Sequence, residues 1–164
     1  LNMTINALYN KFRALDTTKI ITEVATENAP LLGEINLSQL YAGKTREGID
    51  LSPTYQEDPY FDDKGGLAAA QAYSDWKDRI TPSKERRPGV PNLIINGFYY
   101  ASRRVTVNGV NFVFGSDYIE EEIITKYGPG VDGLGGKYKL EFLGTVGPVL
   151  RGKITSATGL KFRR

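Results

Sequence analysis

Apolar residues recur at intervals of three and four from residue 4 to residue 42, which predicts a run of amphipathic helices. Thr4 is placed to cap the first of them. The apolar stripe of that helix consists of Ile5, Leu8, Phe12 and Leu15. A stripe with this spacing is typical of a helix face that packs in the core, so we expect these side chains to be buried.

Two further helices are predicted in the same segment. The second begins at Thr17 or Thr18, whose hydroxyl groups suit a helix cap. The third begins at Asn28 and carries Pro30 in its first turn, where the missing N–H of proline is tolerated. Gly43 ends it, because glycine readily adopts the left-handed conformation that follows a helix.

The pattern between residues 98 and 115 predicts an antiparallel hairpin. Asn108-Gly109 is the dipeptide favoured by two-residue hairpin turns. Pairing outward from this turn predicts the pairs Val107 with Val110, Val105 with Phe112, and Arg103 with Phe114, all on one face. The opposite face presents Arg104, Thr106, Asn111 and Val113. Alternation on both sides of a turn is the usual mark of a half-buried hairpin.

The pattern after the hairpin is mixed. Ser116 or Asp117 caps a helix that ends at Gly128. The next apolar residues alternate with charged ones and predict a strand, with a helix as the alternative; they are Tyr138, Leu140 and Phe142. Pro148 then starts a last helix, and Gly159 ends it.

Three segments lack steady periodicity and are rich in glycine or proline, at 44–66, 81–92 and 128–137. Long irregular segments in a small domain are usually functional or become ordered on binding, so we expect extended loops. A short helix at 67–80 lies between the first two. The 164 residues suit a single domain. The predicted fold is α+β, with N-terminal helices, a central antiparallel sheet built on the 98–115 hairpin, and a C-terminal helix.

The composition argues against an enzyme. The chain has no histidine and no cysteine, which removes the commonest general base, the commonest metal ligand and the thiol nucleophile. The consecutive acids at 120–122 point in different directions on a helix, and Asp62-Asp63 lacks the ligand spacing of a calcium loop. The glycine-rich segment at 128–137 does not match a phosphate-binding loop. We therefore expect no catalysis, no cofactor and no metal; a hydrolase that uses two carboxylates is one alternative.

The basic residues offer another alternative, a nucleic-acid-binding module. Basic clusters stand at 84–87, 103–104 and 163–164, and we take four arginines as candidates for contact with DNA: Arg86, Arg87, Arg103 and Arg104. Tyr99 or Tyr100 would stack on bases. The formal net charge is only +2, however. This small excess favours basic residues that are solvated, or that pair with acids of a neighbouring subunit.

The aromatic residues favour protein contacts. Ten tyrosines give the chain many rings that combine apolar area with a polar tip, which is typical of protein interfaces. The candidates for a subunit interface lie mainly in and beside the irregular segments. They are Tyr55, Tyr60, Phe61, Trp76, Tyr99, Tyr100 and Tyr127.

Short motifs along most of the chain add a family resemblance. In order they are Met3-Thr4-Ile5, the 36–43 segment NLSQLYAG, Glu47-Gly48, Pro53-Thr54-Tyr55, the 88–93 segment PGVPNL, the 96–99 segment NGFY, Phe114-Gly115-Ser116, Lys126-Tyr127-Gly128, Gly133-Leu134 and Thr158-Gly159-Leu160. In this order they resemble small neck and tail-completion proteins of tailed bacteriophages, particularly crAss-like and other gut Bacteroides phages. The chain departs from that pattern in a longer insert at 56–84 and in its glycine-rich segment.

The resemblance implies a virion structural protein. Proteins of this class form rings between portal and tail. The resemblance therefore implies a homo-oligomeric ring of about 6 or 12 copies, and one repeated head-to-tail interface can close such a ring. The implied partners are other neck, portal or tail proteins, with transient contact to passing DNA. The implied location is the neck or tail of the virion, after assembly in the host cytoplasm. No apolar run approaches the roughly 20 residues needed to cross a bilayer, so we expect no membrane partner.

Overall fold

A computed structural model describes residues 4–159, apart from the side chain of Leu8, and confirms the predicted α+β class. The helices are α1 (Ile5–Arg13), α2 (Thr17–Glu27), α3 (Ala29–Tyr41), α4 (Gly66–Ile80), α5 (Phe98–Ser102), α6 (Glu120–Tyr127) and α7 (Gly136–Thr158). The strands β1 (Arg104–Asn108) and β2 (Asn111–Gly115) form a two-stranded antiparallel sheet. The predicted basic tail at 161–164 lies outside the described residues.

The caps of the first helices follow from local side chains. The Thr4 hydroxyl accepts a hydrogen bond from the backbone N–H of Ala7, as predicted. Helix α2 begins at Thr17, as predicted, and its cap is the Asp16 carboxylate rather than a threonine hydroxyl; this carboxylate accepts from the N–H of Lys19 at 2.9 Å. A carboxylate at this position also favours the positive end of the helix dipole.

The predicted burial of the α1 stripe is wrong for Ile5, which is 85% exposed, and for Phe12, which is 46% exposed. Leu15 is half-buried, and the side chain of Leu8 lies outside the described part of the chain. Tyr9, which the prediction did not include, is 62% exposed. The Lys11 ammonium donates to the carbonyl of Thr158 at the C-terminal end of α7, so a polar contact joins α1 to α7.

Helix α3 lies at the centre of the fold. Its buried residues extend around much of its circumference and include Leu32, Ile35, Asn36, Gln39 and Leu40. One side packs with α7 in a cluster that the hairpin completes. The other side packs with the 51, 90–93 and 123–131 regions. A helix that is buried on several sides requires neighbours on each of them, and these neighbours include the irregular segments.

The hairpin pairs with a register different from the prediction. Val107 lies opposite Phe112 and Val105 opposite Phe114, so the two-residue turn is Gly109-Val110. Gly109 has a φ of +62°, which suits the first central position of a type II′ turn. The shift equals two residues on β2, so the predicted inward face is preserved and packs on α3 and α7. Arg103 precedes the strand, and residues 98–102 form a helix.

The segment at 136–158 is one helix, so the predicted strand at 138–142 and the predicted helix start at Pro148 are both wrong. Tyr138 and Phe142 are buried whereas Leu140 is 70% exposed, which is the spacing of a helix face. Gly159 ends the helix with a φ of +70°, as predicted. Pro148 therefore stands inside α7.

Replacing Pro148 with alanine is expected to raise the free energy of unfolding by about 1–2 kcal/mol. Proline inside a helix costs about 3 kcal/mol relative to alanine, because it lacks an N–H and crowds the preceding turn. Part of this gain is offset because alanine leaves the unfolded chain more freedom. Denaturant unfolding measures the difference. Gly147→Ala is the control; its added Cβ meets nothing within 4 Å, and we expect a smaller gain of about 0.5–1 kcal/mol. A Pro148→Ala chain no more stable than the parent would contradict this.

The three irregular segments are packed into the body and do not extend from it as predicted. In 44–66, Leu51 is fully buried, and an isolated antiparallel bridge joins Lys44 to Asp50. In 81–92, Val90 and Asn92 are fully or almost fully buried. In 128–137, the carbonyl of Gly133 accepts hydrogen bonds from the side-chain amides of Asn36 and Gln39. These three segments are therefore part of the packed body of the fold.

Candidate subunit interface

Five of the seven predicted interface residues line one cavity of about 390 Å³, here called the aromatic cavity. They are Tyr55, Tyr60, Phe61, Tyr99 and Tyr127. The other two lie elsewhere: Trp76 is on the surface of α4, and Tyr100 donates its hydroxyl to the carbonyl of Asn92 at 2.7 Å. A volume of this size falls in the range of about 300–1,000 Å³ that is usual for ligand pockets.

Polar caps shape the 55–61 wall of the cavity. The backbone N–H and the hydroxyl of Thr54 both donate to the Glu57 carboxylate, at 3.0 and 2.9 Å. This reciprocal cap starts a 3₁₀ turn at Tyr55–Glu57. The Asp58 carboxylate then accepts from the N–H of Tyr60 and starts a second turn, Pro59–Phe61. Two short turns in sequence thus place three aromatic rings along one wall.

Tyr73 of α4 joins these rings and is a lining residue that the sequence analysis missed. Its ring centroid lies 5.0 Å from that of Tyr55 at an interplanar angle of 78°, and 5.6 Å from that of Phe61. Edge-to-face and tilted pairs are the preferred geometries of aromatic rings. Tyr73 stands three residues after the buried Ala70, so the helical period of α4 was the signal that could have identified it.

Three of the tyrosine hydroxyls that line the cavity are held in the neutral form. Burial raises the pKa of Tyr55, of Tyr99 and of Tyr127 well above the usual value of 10. These groups therefore stay protonated at any physiological pH. The walls combine apolar rings with uncharged polar tips, which suits contact with another protein side chain.

The rim of the cavity is apolar and exposed. Tyr60 is 59% exposed, Ile95 72% and Tyr118 37%. Phe98, 59% exposed, packs edge-on against Tyr118 with ring centroids 5.6 Å apart. Contiguous exposed apolar residues around a cavity are a usual mark of an interaction site.

The backbone of the cavity wall is strained at two positions. Among the described residues, Leu93 (φ 56°) and Ile119 (φ 46°) are the non-glycine residues with positive φ, and both line the cavity. A left-handed conformation costs a side-chain-bearing residue roughly 1–2 kcal/mol. Such strain persists where the surrounding structure holds it, and it clusters at functional sites.

The α1 stripe, formed by Ile5, Tyr9 and Phe12, is a second exposed apolar surface. The spacings of four and three residues place these side chains on one side of α1. Sequence reasoning recognised Ile5 and Phe12 but assigned them to the core, and it did not include Tyr9. The spacing of apolar residues is the same for a helix that packs in its own core and for one that packs on a partner, so the pattern alone does not separate the two cases.

Two of the four arginines predicted for DNA contact are buried, which is a correction. The Arg103 side chain is fully buried between the rings of Tyr99 and Phe114, and it binds the carboxylates of Glu120 and Asp132. The Arg86 side chain is 2% exposed. It donates to the carbonyls of Tyr41 and Thr81 and to the carboxylate of Asp78. Both guanidinium charges are paired with carboxylates inside the fold, so Arg86 and Arg103 are no longer candidates for contact with DNA.

The other two arginines lie on the surface and are paired. Arg87 contacts Asp50 at 3.1 Å, and Arg104 contacts Asp117 at 2.5 Å. Because each charge already has a carboxylate partner, neither forms a basic patch of the kind that holds a phosphate backbone. The structure thus contains no observation that favours the nucleic-acid alternative.

The carboxylates do not form the pair that a two-carboxylate hydrolase needs in the aromatic cavity. Asp58 is the one acidic residue among its lining residues, and it is paired with Lys126. An open groove of about 710 Å³ elsewhere holds Glu85 and Glu141. Hydrogen bonds from Lys137 and Tyr138 lower the pKa of Glu85, which therefore remains ionised and is unsuited to act as a general acid.

Residues 4–159 contain no group of three or more acidic side chains placed to hold a metal ion. None of the helices within that range is long and apolar enough to cross a membrane. Comparison of the chain with protein-family models, with curated protein sequences and with solved structures gave no match. The chemistry and exposure of the residues, together with the resemblance of the motifs, are therefore the basis for assigning a function.

Proposed function

We propose that this chain is a non-catalytic structural subunit that assembles into a ring in the neck or tail of a tailed bacteriophage. The ring would join portal to tail and surround the passage for DNA. Its partners would be copies of the same chain and neighbouring neck, portal or tail proteins. It would assemble in the host cytoplasm before it joins the virion.

The distribution of large apolar side chains carries this proposal. Among the described residues, seventeen large hydrophobic side chains are exposed, whereas fourteen are buried. Scattered exposed apolar residues are normal, but seven of these seventeen lie either on one side of α1 or around the aromatic cavity. Apolar area that one copy leaves in water becomes favourable when it is buried against another copy. A chain built in this way is suited to assembly.

The residue chemistry and the motifs support the same function. The chain lacks histidine and cysteine, so catalysis by the commonest side chains would need residues from another protein. The ordered motifs from residue 3 to residue 160 resemble neck and tail-completion proteins. The buried arginines and the packed irregular segments give each copy a rigid body. Rigid bodies with one repeated interface are what a closed ring requires.

Labelling of purified phage particles tests the location. Antibodies raised against the chain, seen by electron microscopy with gold, are expected to bind at the junction of head and tail. Particles probed with serum from unimmunised animals provide the control. Finding the protein free in lysates of infected cells but absent from purified particles would contradict the proposed function.

A further inference from the structure

The α1 stripe and the aromatic cavity are two of the exposed apolar surfaces of residues 4–159, and they lie in different parts of the fold. The α1 stripe belongs to a helix that packs against α7. The aromatic cavity is formed by the 55–61 turns, α4, the 91–96 segment and α6. No residue of α1 lines the cavity. The two surfaces therefore do not cover each other in one copy.

The charges beside these surfaces are opposite in sign. Helix α1 carries no acidic residue; its Lys11 is engaged with α7, and the exposed Arg13 is the basic residue that can meet a partner. The segments that form the cavity wall at 58–64 and 117–126 contain seven acidic residues and two lysines. The acidic ones are Asp58, Asp62, Asp63, Asp117, Glu120, Glu121 and Glu122. Among residues 4–159, no cation forms an ion pair with Asp62, Glu121 or Glu122, so the acidic side retains charge to attract a basic partner.

The dimensions of helix α1 also match those of the aromatic cavity. A helix of nine residues is about 13 Å long, and apolar residues spaced four and three apart form one row of anchors. Amphipathic helices commonly bind apolar grooves through such anchors. The cavity offers about 390 Å³ and an apolar rim, which gives one or two large rings of the helix a place to enter.

We propose that α1 of one copy docks through Ile5, Tyr9 and Phe12 in the aromatic cavity of the next copy. The contact joins two different surfaces, so an open oligomer keeps one free stripe at one end and one free cavity at the other until the last contact is made. An interface of this kind closes into a ring when the rotation between copies allows it. This inference deepens the proposed function and depends on it, because it names the contact through which the ring forms.

Cross-linking tests the contact directly, and the chain suits it because it contains no cysteine. The full-length Asn6→Cys/Ile95→Cys variant places one thiol beside the stripe, whose three anchors are retained, and one at the cavity rim. Both positions are exposed, so the fold is expected to be retained, which circular dichroism checks. A flexible bismaleimide joins thiols that lie close together. The matched control is Asn6→Cys/Ile49→Cys, because Ile49 is 62% exposed but does not line the cavity.

The expected product is a ladder of covalent multimers for the Asn6/Ile95 variant, with at least about tenfold more multimer than for the control. Mass spectrometry of digested bands is expected to join residue 6 of one copy to residue 95 of another. Cross-links within single copies, or multimers no more abundant than in the control, would overturn the proposal. Either result would mean that the cavity accepts another occupant, such as its own chain or a different virion protein.

Substitutions provide a second, independent measurement. Tyr9→Asp and Phe12→Asp are each expected to raise the dissociation constant of self-association by about 30-fold or more, as loss of a central aromatic anchor does. Ile49→Asp, equally exposed to water in one copy, is expected to leave it within about twofold. If the unmodified chain forms oligomers that Tyr9→Asp and Phe12→Asp leave intact, the docking contact is wrong and the ring proposal stands. If the unmodified chain does not oligomerise, either alone or with purified tails and portals, both proposals fail.

Discussion

Replacing Arg103 with methionine is expected to lower the free energy of unfolding by about 3–5 kcal/mol, measured by denaturant unfolding. The guanidinium donates to both Glu120 carboxylate oxygens at 2.9 and 3.1 Å and to Asp132 at 2.5 Å. It also donates to the Asn36 side chain and to the Tyr99 hydroxyl. Removing one partner from a buried charge cluster leaves the opposite charges without compensation.

The neighbouring arginine is the matched control. Arg104 forms an ion pair with Asp117, but its side chain is 54% exposed. Exposed ion pairs contribute about 0–1 kcal/mol, so Arg104→Met is expected to have a small effect. Adding Glu120→Gln and Asp132→Asn to Arg103→Met is expected to recover part of the loss, because the uncompensated charges are then removed. Equal losses for Arg103→Met and Arg104→Met would show that the buried cluster does not stabilise the fold.

Lys77 is expected to make stability rise with pH between about 8 and 10.5. The residue is 1% exposed, and its ammonium donates to the carbonyl of Ile94. Burial, together with the charge of Arg86, lowers the pKa of Lys77 from 10.5 to about 8. Between these values the unfolded chain holds the proton that the folded chain has released. The unfolded state then binds more protons, so the free energy of unfolding increases with pH, by up to about 3 kcal/mol.

Lys77→Met isolates this effect, because the unbranched methionine side chain fills similar space without a charge. Below pH 8 the parent chain carries a buried cation, and the variant is expected to be the more stable of the two. The difference is expected to shrink by about 2–3 kcal/mol as the pH rises from 7 to 10. Titration of the Lys77 amine by nitrogen NMR is expected to give the same lowered pKa. A difference that is constant across this range would contradict the prediction.

The sequence correctly predicted features that are determined by residues close together in the chain. The Thr4 cap, the end of α3 at Gly43 and the inward face of the hairpin depend on residues a few positions apart, and these predictions are confirmed. The strand predicted at 138–142 failed because three alternating residues fit a strand and a helix equally well. Contacts with α3 and with the hairpin determine the outcome, and these partners are distant in sequence.

The candidate interface was predicted in part. The aromatic residues were recognised, but composition does not say which of them converge, and Tyr73 and Tyr118 were missed. Arg86 and Arg103 stand beside other basic residues in the sequence and therefore resembled surface clusters. Their burial depends on partners such as Tyr41 and Asn36, which are 45 and 67 residues away. Long-range pairing of this kind leaves no local pattern.

Sedimentation of the purified full chain across a range of concentrations tests the central claim most directly. We expect the 18.2 kDa chain to form one closed oligomer of fixed mass, because the exposed apolar surfaces of each copy would be buried by its neighbours. The oligomer is expected to dissociate as the concentration falls. A species with the mass of a single copy at every concentration, both alone and in the presence of purified tails and portals, would contradict the account.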